Sequence, residues 1–299
     1  MDSHSGSDHT SHELAKRIRR ACLYEVTARK PGNVHPQMSF DDLCYENFVL
    51  AASLSAPVLA EECVFGIGTS ILHCVKKCQR HGLGNVNLGI LLLLAPLVAC
   101  CRKEGRISPA GLEAILCRLS IADAEAVYSA IRMLQPGGMG AVSDQDVSSR
   151  PTVPLRDAMR LASDRDLIAR QYANGYQEVL GDGRRIFAKW CQRCSHGEPA
   201  IIGTYLELMS RFPDSLIARK CGIEIATESA HRAQQVLLAG WPESRNGKQA
   251  IDELDLWLRT DGHRRNPGTT ADLISALLFC DLEKLPPFPE CNQPNGDSK

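Results

Sequence analysis

The chain has 299 residues, 34 Lys and Arg against 35 Asp and Glu, and a formal net charge of −1. No basic excess is available to neutralise a phosphate backbone, which excludes the usual nucleic-acid binder. A content of 44% hydrophobic residues at this charge excludes a disordered chain, and 5% aromatics with abundant Leu and Ala favours helices over strands.

Taken in chain order, residues 1–10 are polar and read as a loose, disordered N-terminus. Ser11 suits an N-cap, and Leu14, Ile18, Cys22 and Val26 recur at helical spacing until Lys30-Pro31-Gly32 stops the helix. Asp41-Asp42 opens a helix reaching about residue 59, and another covers 62–80. Asn87 leads into an apolar helix over 88–101, and Ser108-Pro109 starts short helices that run to about 134. The irregular stretch 135–154 reads as a functional loop. Helices are then expected over 155–162, 165–180, 184–194, 199–211, 214–238, 252–259 and 270–281. A flexible C-terminal tail covers 285–299. No alternating strand pattern occurs. The expected fold is all-α, one globular catalytic domain over 11–284 with about a dozen helices and no sheet.

The thirteen cysteines fall mostly in apolar helical stretches and read as buried thiols. Cys191 and Cys194, with His196 behind them, form a lone C-x-x-C, which is weak grounds for a metal site without a second ligand pair. The first residues lack the basic and apolar segments of a secretory leader, and the run 88–101 is too short to span a bilayer. The expectation is a cytoplasmic protein acting on small molecules, with no nucleic-acid partner, no membrane and a homodimer left open.

The chemistry-bearing residues gather in loops at helix starts. In Asn266-Pro267-Gly268-Thr269-Thr270-Ala271-Asp272, glycine and two threonines precede an apolar helix whose free N–H groups attract anions, with His263, Arg264 and Arg265 just upstream. Spacing alone favours a plainer reading, the capping box Thr269-x-x-Asp272. Lys30, Gly32, Asn33 and His35 can bind phosphate or hold a tight turn. Asp41 and Asp42 at a helix start can hold Mg²⁺ or exchange protons, and taken alone they read as a charged helix start. Asp214 is a natural N-cap. Arg219 and Lys220, set against the dipole of the helix behind it, hint at an anionic partner. Glu224 and Glu228 share a face with Ile217 and Cys221, pointing inward or forming a solvated edge. Asn87 can cap the apolar helix, and Gly89 admits a close approach. The glycine-rich stretch 136–140 could wrap phosphates, but it lacks the Lys-Ser/Thr of a P-loop.

Together these loops resemble a known family. KPGNV followed by Asp41-Asp42, then NVNLG, DSLIARKCG and NPGTTADL, is similar in order and spacing to the triphosphoribosyl-dephospho-CoA synthase family, over about 22–280. The resemblance implies an all-helical pentosyltransferase that takes ATP, expels adenine from the ribose C1′ and joins the triphosphoribosyl group to the 2′-hydroxyl of 3′-dephospho-CoA. It implies catalytic roles for Asp41, Asp42, Asp214 and Asp272, with Asp214 or Asp272 as base, and Mg²⁺ on Asp41, Asp42 and Asp272. The matching Lys30, Gly32, Asn33, Asn87, Arg219 and Gly268 would hold ATP, and His35, Arg264, Arg265, Thr269 and Thr270 join them from the chemistry of the same loops. The chain departs from the family pattern at NVNLG, where NTHKG is usual. It departs again at Thr269, in place of a second glycine, and at 165–175, in place of a GARGEA-type segment. Such a divergent branch resembles homologues linked to methanopterin-type one-carbon metabolism. An ATP-dependent transferase with another acceptor and a non-catalytic helical nucleotide-binding protein are the competing readings. Adenine release separates them.

Overall fold

The apolar spacing is realised as α-helix nearly throughout. A computed structural model describes residues 4–63, 66–135 and 144–288. Its helices are α1 (His4–Thr27), α2 (Tyr45–Glu62), α3 (Ile67–Arg80), α4 (Leu88–Glu104), α5 (Pro109–Leu116), α6 (Ile121–Leu134), α7 (Leu155–Ala162), α8 (Leu167–Asn174), α9 (Arg184–Arg193), α10 (Gly197–Arg211), α11 (Ser215–Cys221), α12 (Ile223–Leu238), α13 (Arg245–Arg259) and α14 (Gly268–Asp281). Among the described residues no sheet forms. Two isolated bridges, His35 with Met38 and Phe40 with Leu43, fold one loop onto itself. Among the described residues no helix is long and apolar enough to cross a membrane.

Two helices lack a polar face and therefore sit in the middle. In α4, Leu88 and Ile90 through Cys100 are buried, and α14 is buried over most of its length. These two pack on each other, with α1 against both and α10 against α14. Amphipathic helices such as α3, α7 and α13 cover them with one face each. The first and last helices are stitched together. Arg17 on α1 donates to the Phe279 and Cys280 carbonyls at 2.7 and 2.8 Å, satisfying orphan acceptors at the end of α14.

Several boundaries differ from the sequence reading. Helix α1 begins at His4, so Ser11 is not its cap; its Oγ instead accepts from Arg102 on α4 at 2.7 Å. Asp41 and Asp42 lie in a turn ahead of α2, whose N-cap is Cys44. The stretch 165–180 breaks at Gly175, φ +75°, and continues as a π-helical turn, Gln177–Gly183. The stretch 214–238 breaks at Gly222, φ +94°, a conformation open chiefly to glycine. Helix α13 starts at Arg245 because Ser244 caps it, Oγ accepting from the Gly247 N–H at 2.8 Å. The start of the expected tail is docked: Phe288 stacks on Tyr24 at 4.6 Å, and the Gly197 N–H donates to the Pro287 carbonyl. Residues 1–3 of the expected loose N-terminus, the glycine-rich 136–140 and residues 289–299 lie outside the described residues.

Candidate functional site

The starts of α4, α8, α11 and α14 line one cleft of about 870 Å³, within the range of small-molecule sites. The positive ends of four helix dipoles therefore collect there. Local sequence explains two of these starts. Asp166 caps α8, its Oδ1 accepting from the Ile168 and Ala169 N–H groups at 2.9 Å each. Asp214 caps α11 through Leu216 at 2.8 Å and Ile217 at 3.1 Å. The start of α14 has no local cap. Asp214 Oδ2 reaches across to accept from the Thr270 N–H at 2.7 Å and its hydroxyl at 2.8 Å. One fully buried carboxylate thus clamps two helices. The Ser215 hydroxyl donates to Thr269 Oγ1 at 3.1 Å and strengthens the junction.

Asp272, in the second turn of α14, lines the cleft. It lies directly against α4: a Cβ on Gly89 would come 1.9 Å from Asp272 Oδ2. Gly89 is therefore required by the position of this carboxylate. Asp272 accepts no hydrogen bond from the described residues. Burial pushes its pKa well above the ordinary carboxylate range, reinforced by the charges of Glu25, Asp214 and Asp166 and opposed by Arg219. Glu25, from α1, also lines the cleft. Burial raises its pKa too, against the charge of Lys30. Arg219 reaches Asp166 Oδ2 at 3.4 Å. Tyr128, Met159 and Leu155 give the cleft an apolar wall from α6 and α7.

The expected residues therefore divide. Asn33, Arg219, Gly268, Thr269 and Asp272 line the cleft. Lys30 does not; its ammonium is fully buried, 2.9 Å from Glu25 Oε1, and donates to the Glu25 and Ala28 carbonyls, which uses all three of its protons inside the protein. Gly32 packs on Leu258, where a Cβ would come within 2.7 Å, and donates to Asp255 Oδ1. His35 is buried, and that burial, followed by Arg259, depresses its pKa to about 4. Asp41 and Asp42 are exposed outside the cleft, with Asp42 3.0 Å from His263 Nδ1. Asn87 lies behind the cleft, in a small void shared with Glu25, and donates to Ser55 Oγ. Arg264 is spent on the Lys220 carbonyl and Asp261. Arg265 stacks on Trp257 at 4.7 Å and donates to its carbonyl. Thr270 and Asp214 serve the clamp. The capping box is absent, because α14 starts at Gly268 and Asp272 already lies inside it.

Glu25 and Asp166 were not in the sequence reading. A signal for Glu25 existed: it follows Cys22 by three residues, on the same apolar face of α1. Glu224 and Glu228 face solvent or its edge, with Glu228 bound to Arg232 at 2.7 Å. Among the described residues no group of three His, Cys, Asp or Glu side chains is placed to hold a metal ion.

Comparison with known proteins follows the same lines. Two curated proteins from Pseudomonas syringae, of pathovars syringae and tomato, each carry the name probable 2-(5''-triphosphoribosyl)-3'-dephosphocoenzyme-A synthase. They are 34% and 33% identical to this chain over 82 residues, which is 27% of this chain and 28% of each relative. The match thus spans under a third of the curated relatives' length. A crystal structure from Archaeoglobus fulgidus, assigned as a triphosphoribosyl-dephospho-CoA synthase, shares the fold. Its TM-score is 0.60 at 24% identity, over 79% of this chain and 98% of that one. The family described as ATP:dephospho-CoA triphosphoribosyl transferase matches residues 11–287. With four motif loops meeting at one helix-start cleft and a family match spanning almost its whole length, the chain belongs to the ATP:dephospho-CoA triphosphoribosyl transferase family.

Proposed function

We propose that this chain transfers the triphosphoribosyl group of ATP to the 2′-hydroxyl of 3′-dephospho-CoA, with release of adenine. The observation that carries the reading is Asp272, a carboxylate without a hydrogen-bond partner among the described residues, set in a cleft ringed by helix starts and cations. The family match and the names of the relatives supply the substrates.

In the reaction the hydroxyl oxygen forms a bond to C1′ as the bond from C1′ to the adenine nitrogen breaks. The bonding pair leaves with the purine, which takes up a proton, and the hydroxyl proton passes to a base. Asp272 is the base in this reading. A raised proton affinity brings a carboxylate nearer to the working pH, where general-base catalysis is most effective. Arg219 nearby favours its ionised form. The start of α4, which carries no side-chain cap, turns a positive dipole end towards the phosphates. ATP enters as its Mg²⁺ complex, the metal held by the substrate's own phosphate oxygens. Asp214, with both oxygens committed, positions the helix starts rather than exchanging protons. With ATP as substrate, the cytoplasm is the compartment this reading requires.

The test is incubation with MgATP and 3′-dephospho-CoA, following free adenine and a product heavier by the triphosphoribosyl group. The Asp272→Asn variant should lose at least about a hundredfold in turnover, the lower bound for removing a general base, while still binding ATP. No adenine from the wild type, or full turnover by the variant, would refute the proposal.

A further inference from the structure

Several half-buried cations of this protein are matched with carboxylates, and others, such as Arg102 and Arg265, spend their protons on hydroxyl and carbonyl oxygens. Arg156 meets Glu113 at 2.7 Å, Arg184 meets Asp281 at 2.5 Å and Arg259 meets Asp255 at 2.9 Å. Lys30 meets Glu25, and within the cleft Arg219 meets Asp166. Lys220 is different. It lines the cleft and is partly buried beside Arg219, and no carboxylate lies within ion-pair distance of its ammonium among the described residues. Burial, followed by the neighbouring Arg219 charge, lowers its pKa, against the smaller opposing charges of Asp42 and Asp214. Its backbone is held fast, since the Lys220 carbonyl accepts from Arg264 at 3.0 Å.

Arg170, at the cleft from α8, has a related arrangement. Its Nε donates to the Ser163 carbonyl at 3.0 Å and its Nη2 lies 3.5 Å from that of Asp164. Neutral carbonyls thus aim the guanidinium, and no carboxylate among the described residues neutralises it. A partly desolvated cation without a direct ion-pair partner is unfavourable. Two at the wall of one cleft are accounted for by an anionic ligand. The cleft's volume of about 870 Å³ leaves room for an extended anion.

We propose that Lys220, together with Arg170, anchors the polyphosphate chain of the nucleotide, in the place the sequence suggested for Arg264 and Arg265. This rests on the transferase reading for the identity of the nucleotide, though not for the presence of an anion site. The ammonium acts as a mobile point charge along the chain, and the fixed guanidinium offers a planar fork.

Calorimetric titration of the full chain with inorganic tripolyphosphate, and separately with MgATP, tests the assignment. Lys220→Met should weaken tripolyphosphate binding about tenfold or more, as expected for one charge-assisted contact, and Lys220→Arg should restore most of it. Arg170→Met should show a comparable loss, and Arg265→Met should bind as the wild type does. Unchanged binding by Lys220→Met, or an equal loss in Arg265→Met, overturns the proposal. A wild type that binds tripolyphosphate through Lys220 yet releases no adenine upholds the anchor and overturns the transferase reading.

Discussion

Asparagine at position 214 would alter one atom of the clamp between α11 and α14. The Oδ1 contacts to Leu216 and Ile217 survive. The Oδ2 contacts become an amide facing the Thr270 N–H, donor against donor. Two bonds to a buried charged acceptor are lost, at about 1.5–3 kcal/mol each. Part of that is recovered, because the charge removed was itself costly to bury, as the raised pKa of Asp214 indicates. A net loss of about 2–4 kcal/mol remains. For 299 residues, an unfolding entropy of about 2.1 cal/mol/K per residue gives roughly 0.6 kcal/mol/K. The melting temperature of Asp214→Asn should therefore fall by about 3–6 °C. Differential scanning calorimetry at pH 7 measures this directly, and hydrogen exchange at the Thr270 amide should quicken in parallel. A variant that melts within about a degree of the wild type, with activity alone abolished, would show that Asp214 acts on the substrate and is not the clamp described above.

Gly89→Ala forces a methyl into the space of the Asp272 carboxylate and should lower turnover at least tenfold with native-like circular dichroism; unchanged kcat/KM would sink the close-approach argument. Asp272→Asn should gain stability as well as lose activity. The folded state holds the Asp272 proton more tightly than the unfolded chain, so wild-type stability falls as pH rises from the ordinary carboxylate value of 3.8 to the raised one. The variant should match the wild type near pH 3.5 and exceed it at pH 8, and a difference independent of pH would contradict this. Lys30→Met strands the buried Glu25 carboxylate and should cost about 3–5 kcal/mol in urea unfolding. Adding Glu25→Gln should recover part of that loss, and a neutral single variant would refute the buried pair.

The fold was legible where its cause is local. The apolar runs of α4 and α14 and the caps Ser108, Asp166 and Asp214 are written within a few residues of the helices they start. The split at Gly222 had its signal in that glycine, masked by helix-forming residues on both sides. The site was legible in part. Gly89, Arg219 and Asp272 lie in the loops that the sequence singled out, and those loops do meet. Which way each side chain turns is decided by packing. Lys30 faces inward because Glu25, one turn and more upstream, offers a buried partner. Arg265 turns onto Trp257, whose ring and carbonyl both receive its guanidinium. The capping box failed for a similar reason. The cap of α14 comes from Asp214, 56 residues away, and no local pattern encodes it.

The packing of α14 against α1 and α4 also bears on biosynthesis. Glu25 and Asp272 stand near opposite ends of the chain, so the ribosome delivers one long before the other. Until α14 emerges and docks, the apolar face of α4 that it covers has no partner, and the cleft lacks the carboxylate it is built around. Nascent chains should therefore be inactive and a ready target for chaperones. Proteolytic nicks in the loop ahead of Gly268 should abolish activity and solubility together rather than one before the other.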